Sequence, residues 1–165
     1  MAGVVATVLA IHSTFPAIVR SSNSVVRIAD RMDDRIESQI SVIYATSELD
    51  KNGVWQDTDA DGKFDVLVWV KNVGASRILG IDQVDVFFGR ACSGVCTGSF
   101  QRIPYVGDAG GTFPQWNYAI ENDTEWKSTA TLKITILYSA ALSTDTYLVK
   151  VVTPAGAYAE LYFSF

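Results

Sequence analysis

The run Asp57-Thr-Asp-Ala-Asp-Gly-Lys-Phe-Asp65 places carboxylates at alternate positions and ends on a fourth. Counted as a loop, it has oxygen donors at positions one, three, five and nine, Gly62 at the sharp turn and the backbone carbonyl of Lys63 at position seven. That is the first three-quarters of an EF-hand calcium loop. Three aspartates within five residues repel one another unless a cation sits between them. Asp57, Asp59, Asp61, Lys63 and Asp65 are therefore candidate ligands, and calcium at extracellular concentrations is the candidate ion. Position twelve is Val68, so the bidentate glutamate is missing, and Asp50 or Asn52 is the candidate to complete a looser shell. An Asp/Gly-rich exposed turn without an ion is the competing reading of the same residues.

Two further motifs carry chemistry. Cys92 and Cys96, the only cysteines, lie in the loop-like run from Gly89 to Gly98. A zinc site would need two more ligands, and the one histidine, His12, is far away in an apolar stretch. A short-loop disulfide, which implies an oxidising compartment, and a pair of free thiols are the two remaining readings. Asn122-Asp-Thr124 is an N-glycosylation sequon in a polar stretch, a triplet that also arises by chance. His12 reads as a neutral histidine bonded to a carbonyl freed by Pro16 or to a neighbouring subunit, in preference to a proton relay. No Gly-x-Ser-x-Gly, no phosphate-cradling glycine loop and no catalytic grouping of acids and serines is present, so the chain is not read as an enzyme and requires no cofactor.

The elements that would position these residues fall into two grammars. Nineteen residues precede the first charge, Arg20, and an apolar stripe at three- and four-residue spacing runs through Val4, Val8, Ile11, Phe15, Ile18, Val25, Met32 and Ile36. This predicts one long helix over residues 1–39, apolar nearly all round to Val19, amphipathic from Arg20 and kinked at Pro16. It suits lipid or the core of a helical assembly. The uncharged stretch is marginal for a span of about 20 apolar residues, so Met1 reads equally as the true start or as an internal methionine with turns upstream. The pairs Arg27 with Asp30 and Arg31 with Asp34 either set register between helices or belong to a solvated face.

After Gln39 the period becomes two. Strands are predicted over residues 40–45, 64–71, 77–81, 83–88, 99–106, 115–120, 130–138, 147–152 and 157–165, separated by clusters such as Lys71-Asn-Val-Gly74 and Thr153-Pro-Ala-Gly156. The alternation of Leu132, Ile134 and Ile136 with Thr131, Lys133 and Thr135 is that of a strand buried on one side. The expected class is α+β: the long helix (1–39), then an antiparallel immunoglobulin-like β-sandwich (40–165). Up to Ala45 four arginines balance four acids, so the whole net charge of −5 lies on the later part. An acidic domain without a basic cluster argues against nucleic acid as a partner.

Phe15-Pro16, Arg31-Met-Asp-Asp-Arg35, Val68-Trp-Val-Lys-Asn-Val-Gly74, Val149-Lys-Val-Val-Thr-Pro-Ala-Gly156 and Phe163-Ser-Phe165 follow one another in the order expected of archaeal type IV pilin-like proteins. Within them the chain resembles the archaellar protein G family, FlaG, with the related FlaF family close behind. The resemblance implies a non-enzymatic stator or scaffold of the archaellum, the archaeal flagellum. Such a protein is anchored in the cytoplasmic membrane by its helix with the sandwich outside the cell, assembles with itself, and binds a FlaF-like or surface-layer protein. The short basic leader and the glutamate near the mature start of pilin-like precursors are not seen here, and the cysteine and aspartate loops are not expected of the family. They keep open a second reading, a major subunit of an extracellular archaellum-like or pilus-like filament with helices in the core and sandwiches outside. A third, a calcium-dependent adhesion module, rests on the aspartate loop alone.

Overall fold

A computed structural model of the chain describes residues 32, 37–50, 52–91 and 100–164. The chain divides into two units, Met1–Arg35 and Ile36–Phe165, and every strand among the described residues belongs to the second. Eight strands form it: β1 (Ile40–Ser47), β2 (Phe64–Asn72), β3 (Asp85–Arg90), β4 (Gln101–Ile103), β5 (Gln115–Glu121), β6 (Thr131–Tyr138), β7 (Thr146–Val152) and β8 (Tyr158–Ser164). They pair antiparallel in two sheets, β1-β2-β6-β5 and β4-β3-β7-β8. This is the strand order of an immunoglobulin-type sandwich with one added edge strand.

Alternation explains the core. Val66, Val68 and Val70 of β2 lie opposite Ile136, Ile134 and Leu132 of β6, and none of the six is exposed. In the other sheet Val86 and Phe88 of β3 lie beside Val151 and Val149 of β7 in antiparallel register, and all four are buried. β-branched side chains fit this pleated, one-sided burial, and truncating one such as Ile134 to alanine costs about 2–5 kcal/mol. Aromatic rings fill the two flanks. Phe88 stacks on Tyr147 at 5.3 Å, and Tyr105 tilts on Trp116 at 5.0 Å. Near the second pair the chain after β4 bridges the sheets, with Trp116 N–H donating to Pro104 O (2.9 Å) and Val106 N–H to Trp116 O (2.8 Å).

The expected α+β class with a long N-terminal helix is corrected to a β-sandwich. Each sheet covers the inner face of the other, so the core needs no helical layer. Among the described residues Ile81–Gln83, a 3-10 turn, is the one whole helical element, and no helix is long and apolar enough to cross a membrane. Of the positions assigned to the helix, Val4, Val8, Ile11, Phe15, Ile18, Val25 and Ile36 lie outside the described residues, as do His12 and Pro16, while Met32 is 62% exposed. Ile40 and Ile43, whose spacing continues that apolar stripe, belong to β1. A register shift between Val42 and Tyr44 breaks the two-residue alternation there and imitates a helical spacing.

The strand expected over residues 77–81 is also absent. Ile78 donates its N–H to Trp126 O (3.0 Å) and buries its side chain in the core, and Gly80 turns the chain at φ 64° into the 3-10 turn. That segment is a plug between the sheets. The strand expected over residues 99–106 contracts to Gln101–Ile103, because Pro104 has no N–H to continue the ladder.

Where the chain enters the sandwich it is clamped. Val73 and Gly74 donate to Gln39 O (both 2.9 Å), Ser76 N–H to Glu37 O (3.0 Å), and Ser76 Oγ to Glu37 Oε2 (2.5 Å). A Cβ on Gly74 would stand 2.0 Å from Glu37 O, so only glycine allows this approach of backbone to backbone. Beneath it Asn72, wholly buried, donates from Nδ2 to Ser76 O (2.9 Å) and Trp126 O (3.0 Å) and accepts from Gly74 N–H at Oδ1 (2.9 Å). The turn signal Lys71-Asn-Val-Gly74 is in fact the anchor of the chain's entry.

Candidate functional site

At the opposite end of β2 lies the aspartate loop, inside the long β1–β2 connection. One carboxylate oxygen from each of Asp57, Asp59 and Asp61 lies within 4.8 Å of the others. Backbone N–H groups hold the loop in that shape: Asp57 accepts from Asp61 (3.1 Å) and Gly62 (2.8 Å), Asp59 from Asp61 (3.2 Å), and Asp61 from Lys63 (2.7 Å). Gly62 makes the turn at φ 77°, with open space where a Cβ would stand, so its role is conformational. The ammonium of Lys63 lies 3.5 Å from Asp61 O and 5.1 Å from the ring centre of Phe113.

Asp65, the second residue of β2, alternates with the inward-facing Val66 and is nevertheless only 8% exposed. Its Oδ1 is buried and accepts no hydrogen bond among the described residues. Burial pushes its carboxyl up to about 6, and the charges of Glu48, Asp61 and Asp59 push the same way, against the pull of Lys133. The charges of Glu48, Asp59 and Asp61 thus reach Asp65, while the carboxylates gathered within 4.8 Å are those of Asp57, Asp59 and Asp61.

Glu48 was not singled out by sequence. Its Oε1 accepts from the hydroxyl of Thr58 and its Oε2 from Asp65 N–H (3.3 Å), so it ties both ends of the loop together. Asp50 and Asn52, expected to complete the shell, instead close a turn of their own: Asp50 Oδ1 accepts from Asn52 N–H (2.8 Å) and Val54 N–H (2.9 Å), bonds that hold its carboxyl below the ordinary range. Val68, at the twelfth loop position, points into the core.

The remaining predicted sites separate from this one. Cys92 and Cys96 lie outside the described residues. Asn122 is exposed at φ 61° in the β5–β6 turn, with Thr124 also exposed. Asp123 between them accepts from Thr124 N–H (2.8 Å) and bonds Lys127 (3.1 Å), contacts that lower its carboxyl.

The outer face of the β4-β3-β7-β8 sheet is rich in large side chains. In register across it run Arg102, Phe87, Lys150 and Glu160, flanked by the pairs Leu148 with Tyr162 and Val152 with Tyr158. Tyr162 is 61% exposed, Tyr158 50% and Phe100, stacked on Phe87 at 6.0 Å, 43%. Arg102 is paired with Asp85 (2.5 Å), so the face sets exposed aromatic side chains among charges of both signs.

No family model matches the chain. Its sandwich is similar to the archaellum periplasmic stator protein FlaG from Sulfolobus acidocaldarius, at 24% identity and a TM-score of 0.55, covering 76% of this chain and 98% of that one. It is similar also to the archaellum periplasmic stator protein complex FlaF and FlaG from the same organism, at 24% identity and a TM-score of 0.54, covering 76% and 88%. The fold is therefore a FlaG-like immunoglobulin-type sandwich. Across 173 aligned positions the chain is 30% identical to an uncharacterized protein of Archaeoglobus fulgidus, covering 99% of this chain and 92% of that protein, and it belongs to the same family.

Proposed function

We propose that this chain is a non-enzymatic structural component of an archaellum, a stator-type protein that works by holding partners in place. The observation that carries this reading is the FlaG-like fold, whose solved neighbours are stator proteins, one of them together with FlaF. On this reading the sandwich stands outside the cytoplasmic membrane, the uncharged residues ahead of Arg20 tether it there, and copies of the chain assemble with one another. A FlaF-like protein, itself in contact with the surface layer, is the partner. It docks on the outer face of the β4-β3-β7-β8 sheet, where Tyr158 and Tyr162 supply rigid aromatic area at little cost in side-chain entropy.

The test is to mix the purified full-length chain with the FlaF-like protein of the same host and measure mass by size-exclusion chromatography with light scattering. A discrete mixed complex is expected, weakened at least tenfold by Tyr162→Glu. Two proteins that elute separately at about 100 μM would refute the partner assignment, since a K_d above that range corresponds to less than roughly 5.5 kcal/mol of binding.

A further inference from the structure

We infer that the β1–β2 connection is a calcium site, with the carboxylates of Asp57, Asp59 and Asp61 and the carbonyl of Lys63 as direct ligands and Asp65 closing the shell through a bound water. This inference does not depend on the stator reading. Two independent observations carry it. The first is the three carboxylate oxygens gathered within 4.8 Å. Exposed acidic turns do this often, and alone it would mean nothing. The second is Asp65, the ninth residue of the same run and more than nine-tenths buried, whose Oδ1 has no partner among the described residues.

A buried carboxylate oxygen without a donor costs free energy that a fold ordinarily avoids. The groups around Asp65 make matters worse, because Glu48, Asp59 and Asp61 all repel it and only Lys133 attracts it. The loop's own N–H groups are directed to Asp57, Asp59 and Asp61, and none of those bonds reaches Asp65 Oδ1. A divalent cation between the exposed three would answer both problems at once. It neutralises the repulsion, and one of its waters donates to Asp65, as at the ninth position of EF-hand loops. Glu48, held by Thr58 and by Asp65 N–H, ties the loop to the start of β2 without being one of the gathered carboxylates.

The donor set selects the metal. All the ligands are oxygens, they are carried on a turn able to adjust, and nothing enforces the near-ideal octahedron that magnesium demands. A turn built from a single loop without a bidentate ligand of its own belongs with the weaker extracellular modules, at K_d values of about 10⁻⁴–10⁻³ M.

The experiment uses the full-length chain stripped with EDTA, isothermal titration with calcium and with magnesium, and melting with and without 10 mM of each ion. One calcium per chain is expected, with magnesium at least tenfold weaker. The melting temperature should rise by roughly 3–10 °C in calcium. Asp59→Ala should weaken calcium at least tenfold while melting in EDTA no lower than the wild type. Asp65→Asn should melt higher than the wild type in EDTA and yet lose most of the calcium response, a reversal of sign that a purely structural aspartate does not produce. No saturable uptake by the folded wild type, or uptake unchanged in both variants, overturns the site.

Discussion

The two ends of β2 each bury a polar side chain, and they treat it in opposite ways. Asn72, at one end, has both sides of its amide occupied by three backbone groups. Asp65, at the other, buries an oxygen that no donor meets among the described residues and sits among acids. The same strand therefore ends once in a closed network and once in an open one. A closed network fixes geometry, here the point at which the chain enters the sandwich. An open one keeps bonding capacity in reserve, and the calcium proposed above would take it up.

The sharpest way to break the comparison is to remove the amide. Asn72→Ala removes three hydrogen bonds, to Ser76 O, Trp126 O and Gly74 N–H, and takes from the Ser76 carbonyl its amide donor, and should cost about 3–4 kcal/mol in urea unfolding. A loss below about 1 kcal/mol would mean that the network is replaceable by water. Gly74→Ala follows at roughly 2–3 kcal/mol, because a methyl would stand 2.0 Å from Glu37 O and the clamp must open. Should the alanine variant melt like the wild type, the approach of residues 37–39 to 73–76 is not a fixed feature. At the open end the sign reverses. Asp65→Asn in EDTA at pH 7 should stabilise by about 1–3 kcal/mol, since it removes a buried charge that its neighbours repel. A destabilised variant would show that the charge has a partner.

The smallest effect concerns Tyr138, which lies opposite Phe64 beside the open end. Burial, and then Tyr147, push its phenol above the ordinary range. A raised folded value means that its contribution is complete below the unfolded value near 10 and is lost as pH climbs beyond it. Tyr138→Phe should flatten the fall in melting temperature above pH 10 without changing the melt at pH 7, apart from the small cost of the lost hydroxyl. An alkaline limb as steep as in the wild type would place the titration elsewhere.

The sandwich was legible wherever burial is one-sided. Leu132, Ile134 and Ile136 alternate with polar residues, and β6 lies where that alternation puts it. Legibility fails where packing is not periodic. Ile78 enters the core from a non-strand segment, and the Val42/Tyr44 irregularity gave β1 a spacing that extends an apolar stripe into it. The helical class followed from that stripe, whereas eight strands make the core. In the acidic loop the local pattern identified Asp57, Asp59 and Asp61 as neighbours, since the spacing within a tight turn is itself the geometry. Glu48 was invisible because antiparallel pairing, through Glu48 N–H to Asp65 O (3.2 Å), brings it there from across the hairpin. Asp50 misled for the converse reason: a residue near in sequence can spend its carboxylate on its own turn.

The central claim, a structural part of an archaellum, is tested most directly by deleting the gene in an archaellated host and scoring swimming together with the composition of purified filaments. Swimming should be lost, a plasmid copy of the wild-type gene should restore it, and purified wild-type filaments should consist of a different subunit. Undiminished swimming in the deletion strain would contradict it, and filaments built from this chain would replace the stator by the filament subunit itself.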